Sequence, residues 1–120
     1  CIEMLECGQV VILAGGTGRP FVTTDTAAAL AAVEIGADAL FKATQVDGVY
    51  SDDPRKNPRA EFYPTLSYDR VINERLAVMD ISAVDLCQRN GMPIVVFNLH
   101  QAGNMKRAAG GHDIGTLVTD

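Results

Sequence analysis

Continuous apolar runs recur along the chain at residues 9–14, 39–43 and 94–97, and a final strand is expected at 115–119. Strands buried on both faces of a parallel sheet read as unbroken apolar stretches rather than alternating ones, so these runs are predicted as strands. Between them lie stretches with helix signals. Residues 2–7 read as the last turns of a helix stopped by Gly8. Residues 26–35 are rich in alanine, the strongest helix former; Thr23, Thr24 and Asp25 offer N-caps, and Gly36 a stop. Ser67 can cap a helix reaching about Leu76, and Asp80 another running to Asn90 and closed by Gly91. A short helix is expected at 104–109. Asp47-Gly48 marks a turn between β-type residues. Residues 51–65, with Pro54, Pro58 and Pro64, read as an irregular excursion.

Strands alternating with helices predict an α/β fold with a largely parallel sheet. Ligands of such sheets bind beyond the carboxyl ends of the strands. The glycine-rich loop at 15–20 and the segment after the second predicted strand both fall at that edge.

Composition narrows the partners. Over 120 residues, 48% are hydrophobic and 21% charged, as in an ordinary globular domain. The net charge of −5 argues against a general binder of nucleic acid or anionic membrane, which reward basic surfaces. The three cysteines, Cys1, Cys7 and Cys87, fit no zinc spacing and read as thiols in a reducing cytoplasm. No apolar run is long enough to predict a transmembrane helix, and no secretory leader is seen. The first residue is Cys1 rather than Met and stands inside a helix-like stretch, so a cut end is expected.

The loop Gly15-Gly16-Thr17-Gly18-Arg19-Pro20, leading to Thr23 and Thr24, has the makings of a phosphate cradle. Glycines let backbone N–H groups approach an anion, and the following helix adds its positive dipole end. The loop matches neither the Walker A nor the dinucleotide-binding fingerprint. An ordinary glycine turn before a capped helix has the same sequence. Asp25 beside such an anion site is comfortable as a helix cap or as the partner of a cation such as Lys42. Lys42 ends an otherwise apolar strand, where an ammonium needs an anion or a path to water. Thr44, Tyr50 and Asp53 surround the Asp-Gly turn and could meet a base or ribose, or serve the turn alone. His100 and His112 are isolated, and the pairs Arg55-Lys56 and Lys106-Arg107 read as solvated surface.

Taken together, the blocks at 15–28, 41–50, Asp53-Pro54, Val78-Met79-Asp80, 93–98 and 115–119 closely resemble the C-terminal half of the bacterial uridylate kinases, members of the amino acid kinase family. The resemblance covers nearly the whole chain. It implies an αβα sandwich of which this is the C-terminal portion, and the reaction UMP + ATP → UDP + ADP. It implies Mg²⁺ carried by the ATP phosphates, with no metal ligand assigned to the protein.

By motif match it assigns Thr17, Gly18, Arg19, Pro20, Phe21, Val22, Thr23 and Thr24 to UMP, and Lys42, Thr44, Tyr50 and Asp53 to ATP. Asp25 and Lys42 become the catalytic pair, and Asp80 a structural or indirect residue. The family further implies a hexamer, activation by GTP, inhibition by UTP and a cytoplasmic location. Arg19 replaces a common Asn of the family, Val22 an aromatic residue and Gln45 a Lys. The family's N-terminal lysine strand end, triple-glycine loop with its arginine, and acidic UMP contact have no counterpart here. This chain alone is therefore expected to be inactive. Kinases of acetylglutamate or glutamate, and a non-catalytic nucleotide-binding module, are the alternatives.

Overall fold

The computed structural model describes all 120 residues. Its elements run α1 (Ile2–Glu6), α2 (Thr24–Ile35), β1 (Leu40–Thr44), β2 (Val49–Tyr50), β3 (Phe62–Tyr63), β4 (Thr65–Ser67), α3 (Tyr68–Asn73), α4 (Ile81–Arg89), β5 (Ile94–Asn98), α5 (Asn104–Ala109) and β6 (Thr116–Thr119). The main sheet has the order β1-β5-β6-β4. β1 lies parallel to β5, with Lys42 opposite Val96, and β4 lies parallel to β6. Within this sheet only the β5–β6 pair is antiparallel, so the expected α/β class and mostly parallel sheet are as observed.

The core sits between this sheet and α2, α3 and α4. Ile94 and Val96 of β5 and Val118 of β6 meet Ala29 and Ala32 of α2 and Val84 and Cys87 of α4. The alanines that give α2 its helix propensity also give it a thin face, so α2 packs closely along α4. Strand alternation turns Phe97 to the other face, where its ring meets Phe41 edge-on at 6.3 Å. Tyr68 is fully buried, and its hydroxyl donates to the Met92 carbonyl, tying α3 to the entry of β5.

The helix ends follow the sequence signals. Thr23 caps α2 by accepting from the Thr26 N–H at 3.3 Å, and Gly36 closes it in the left-handed conformation. Ser67 caps α3 in the same way, although α3 stops at Asn73, short of Leu76. Two expectations are corrected. Residues 9–14 form no strand, and Val10 and Ile12 are 93% and 88% exposed. A strand buried on both faces needs hydrogen-bonded neighbours and covering layers, and within these 120 residues the sheet ends at β1. Residues 51–65 are not wholly irregular either. Phe62–Tyr63 returns to pair antiparallel with Val49–Tyr50, closing a small second sheet.

Candidate functional site

Two features meet at the carboxyl end of β1. The first is the loop before α2. Gly16 and Gly18 adopt positive φ values of 61° and 68°, which let this loop turn tightly ahead of the helix. Phe21 shares that conformation at φ 62° without being glycine, and its side chain stands wholly in solvent. Thr17 accepts from the Arg19 N–H at 3.2 Å, so its hydroxyl helps shape the turn. Arg19, Pro20, Val22, Thr23 and Thr24 are exposed around the start of α2.

The second feature is a cleft of about 460 Å³ walled by residues 42–46, Asp53 and Arg55. It brings together Lys42, Thr44 and Asp53 from the expected set. Tyr50 is not on its wall; its ring packs edge-on against Phe62 at 5.3 Å. Asp53 accepts from the Arg55 N–H at 2.9 Å, which fixes the turn of the wall. Next to it the Asp53 N–H, and then the Asn57 amide, hold the Asp52 carboxyl below the usual carboxylate range.

The Lys42 ammonium joins the two features. It forms an ion pair with Asp25 in the first turn of α2, the two side chains being 32% and 19% exposed. Lys42, expected at a strand end, stands instead at the middle of β1, because the strand runs on through Ala43 and Thr44; there its ammonium finds an anion in Asp25, and Asp25 finds its cation. The other Asp25 oxygen faces the Asp80 N–H at 3.4 Å. An arrangement of open N–H groups, a lysine and a polar cleft within reach of one another can hold two phosphate groups close together and neutralise their charge.

Sequence reasoning missed two participants, Arg55 and Gln45, and gave Asp80 only a structural or indirect part. Arg55 does not stand free in solvent. Its guanidinium donates to Gln45 Oε1 at 3.1 Å, and both line the cleft. No periodicity marks them, because the excursion that carries Arg55 folds back only in three dimensions. Asp80 stands at the expected N-cap of α4, but its side chain makes no cap bond and instead accepts the Thr23 hydroxyl.

A separate, largely apolar groove of about 960 Å³ runs between residues 11–17 and α2, with Thr17 and Thr24 at its polar end. No cluster of three or more His, Cys, Asp or Glu side chains capable of holding a metal ion is present. No helix is long and apolar enough to cross a membrane.

The chain is similar in sequence and in fold to known proteins. The chain is 54% identical over 119 residues to the uridylate kinase of Chelativorans sp., covering 99% of this chain and 48% of that protein. It is 53% identical over 117 residues to the chloroplastic uridylate kinase PUMPKIN of Arabidopsis thaliana, covering 98% of this chain and 34% of that protein. Among solved structures, UMP kinase from Bacillus anthracis superposes with a TM-score of 0.95 at 40% identity, over 99% of this chain and 49% of that one. UMP kinase from Ureaplasma parvum gives 0.90 at 34% identity, over 98% of this chain and 51% of that one. The chain spans about half the length of these bacterial relatives. The amino acid kinase family model matches residues 1–98, and the chain belongs to that family.

Proposed function

We propose that this chain is the nucleotide-binding portion of a uridylate kinase, which transfers the γ-phosphate of ATP to UMP. The observation that carries the reading is the Lys42–Asp25 pair, which links the cleft at the end of β1 to the first turn of α2. In this reading ATP occupies the cleft, against Lys42, Thr44 and Asp53, with Tyr50 further out on β2. The UMP phosphate and sugar lie against residues 17–24 and the open N–H groups of α2. Phosphoryl transfer asks the protein mainly to hold two phosphates in line and to offset their charge. A UMP phosphate oxygen is the nucleophile, so no serine or cysteine is required.

Lys42 would meet the phosphoryl group in transit, and Asp25 would keep the ammonium aimed there. Magnesium takes most of its ligands from phosphate and water, with at most one or two carboxylates. It would arrive with ATP and offset phosphate charge.

The reading extends by likeness to a hexamer activated by GTP and inhibited by UTP, at work in pyrimidine nucleotide synthesis in the cytoplasm. The test is product analysis with the full-length protein, ATP and Mg²⁺, offering UMP, CMP, acetylglutamate and glutamate separately, with and without GTP or UTP. UDP formed from UMP in preference to the others is the expected result. Phosphorylation of a carboxylate instead would keep the family and remove the substrate. Nucleotide binding without turnover would favour a non-catalytic module.

A further inference from the structure

Asp80 stands at the N-cap of α4, where an aspartate ordinarily gives its carboxylate to the N–H groups of the first turn. In this chain it does not. The carboxylate reaches across to α2 and accepts the Thr23 hydroxyl, while the Asp80 N–H faces the Asp25 carboxylate at 3.4 Å. One turn further along, Thr26 and Ser82 meet hydroxyl to hydroxyl at 3.2 Å. The starts of α2 and α4 are therefore stitched together by three side-chain contacts, and all three fall beside the residue that pairs with Lys42.

A proton count sharpens what this does. A threonine hydroxyl has one proton to donate. Thr23 gives it to Asp80, and its oxygen accepts from the Thr26 N–H. Its proton is thus committed to Asp80, and donation to a phosphate falls to Thr24 and the backbone amides. Its place is to fix the first turn of α2.

We propose that Asp80 is a positioning residue for phosphoryl transfer: by holding Thr23 and Asp25 it locks the first turn of α2, and through Asp25 it sets the Lys42 ammonium. The proposal rests on the uridylate kinase reading for its reaction, but the latch itself is a matter of contact. Asp80 touches neither nucleotide in this arrangement and acts through its neighbours.

The test is a double-mutant cycle in the full-length protein, with Thr23→Val, Asp80→Ala and both, read in steady-state kinetics and thermal unfolding. Asp80→Ala should lower kcat by at least about tenfold while KM for ATP stays within about threefold, and Asp80→Asn, whose amide oxygen can still accept from Thr23, should recover much of the loss. The double variant should lose little more than the worse single one, because both substitutions break one contact. A kcat untouched by Asp80→Ala, or two losses that simply multiply, overturns the proposal. If Asp80→Ala lowers only the melting temperature, with kcat of the folded enzyme unchanged, the residue is structural and the proposal falls. Should the parent enzyme make no UDP, the uridylate kinase reading fails by itself. The cycle then reads on unfolding alone, where additive losses overturn the latch and coupled ones support it.

Discussion

The ammonium of Lys42, in the middle of β1, pairs with Asp25, seventeen positions earlier in the first turn of α2. The pair ties the strand that walls the cleft to the helix whose start faces the glycine loop. In the proposed reaction Asp25 would hold this cation in register between the two phosphates.

Removal of that cation is expected to be costly. Lys42→Ala in the full-length protein should lower turnover at least about tenfold, equivalent to roughly 1.4 kcal/mol of transition-state stabilisation. The measurement is kcat with UMP and ATP at saturation. Turnover equal to that of the parent would remove Lys42 from the reaction.

Thr24 begins α2 at the polar end of the apolar groove and does not line the cleft at the end of β1. Thr24→Val deletes a hydroxyl while keeping nearly the same shape. It should weaken UMP binding more than ATP binding in calorimetric titrations. Equal weakening of both would mean that the two nucleotides are not divided between loop and cleft as proposed.

The exposed run at 9–14 separates from the core by mutation. In the 120-residue chain, Ile94→Ala should cost about 2–5 kcal/mol, because Ile94 is fully buried in the main cluster. Ile12→Ala should change stability by no more than about 0.5 kcal/mol, since Ile12 is 88% exposed. Denaturant unfolding of the two variants checks this. A large loss from Ile12→Ala would show that the run packs into the fold after all.

Tyr68 gives a pH test with a definite sign. Burial is the main cause that pushes its hydroxyl up to about 12, from an ordinary value of 10.0. A phenol whose folded value is raised favours the folded state fully below its unfolded value, and that contribution is lost as the pH rises through the folded value. Stability of the chain should therefore fall between about pH 10 and 12. Tyr68→Phe removes this titration and should flatten the fall, while weakening the fold at neutral pH by about 1–3 kcal/mol because the Met92 carbonyl loses its donor. A parent chain and a Tyr68→Phe chain that lose stability in parallel over that range would contradict the assignment.

Cys87 is the buried member of the three thiols, and desolvation pushes its thiol pKa up. In the folded 120-residue chain Cys1 and Cys7 should react promptly with a thiol reagent, and Cys87 only on unfolding. Mass analysis of the labelled chain distinguishes one, two or three modifications. Rapid labelling at Cys87 would mean that α4 is not held against the sheet.

Much of this architecture was legible in local pattern. Thr23 before an alanine-rich stretch, Gly36 after it, Ser67 before Tyr68 and the apolar runs ending at Ala43 and Phe97 each carry a signal confined to a few residues. Backbone capping and strand burial are decided at that range, so sequence marks them. The glycine loop and the lysine within an apolar strand were marked for the same reason: each is costly or unusual where it stands unless something meets it.

What the sequence by itself determined is therefore the class of fold, the caps, and which residues need partners. Only the tertiary structure decided which partners they get. The apolar run at 9–14 carries the pattern of a buried strand, yet burial belongs to neighbours, and within this chain none covers it. Arg55 turns back to Gln45 because the excursion closes through the short β2–β3 ladder. Asp80 has the residue type and position of a helix cap, but Thr23 of a neighbouring helix takes its carboxylate. A hydrogen-bonding side chain settles on the best donor that packing brings within reach, and that choice is made between elements far apart in the chain.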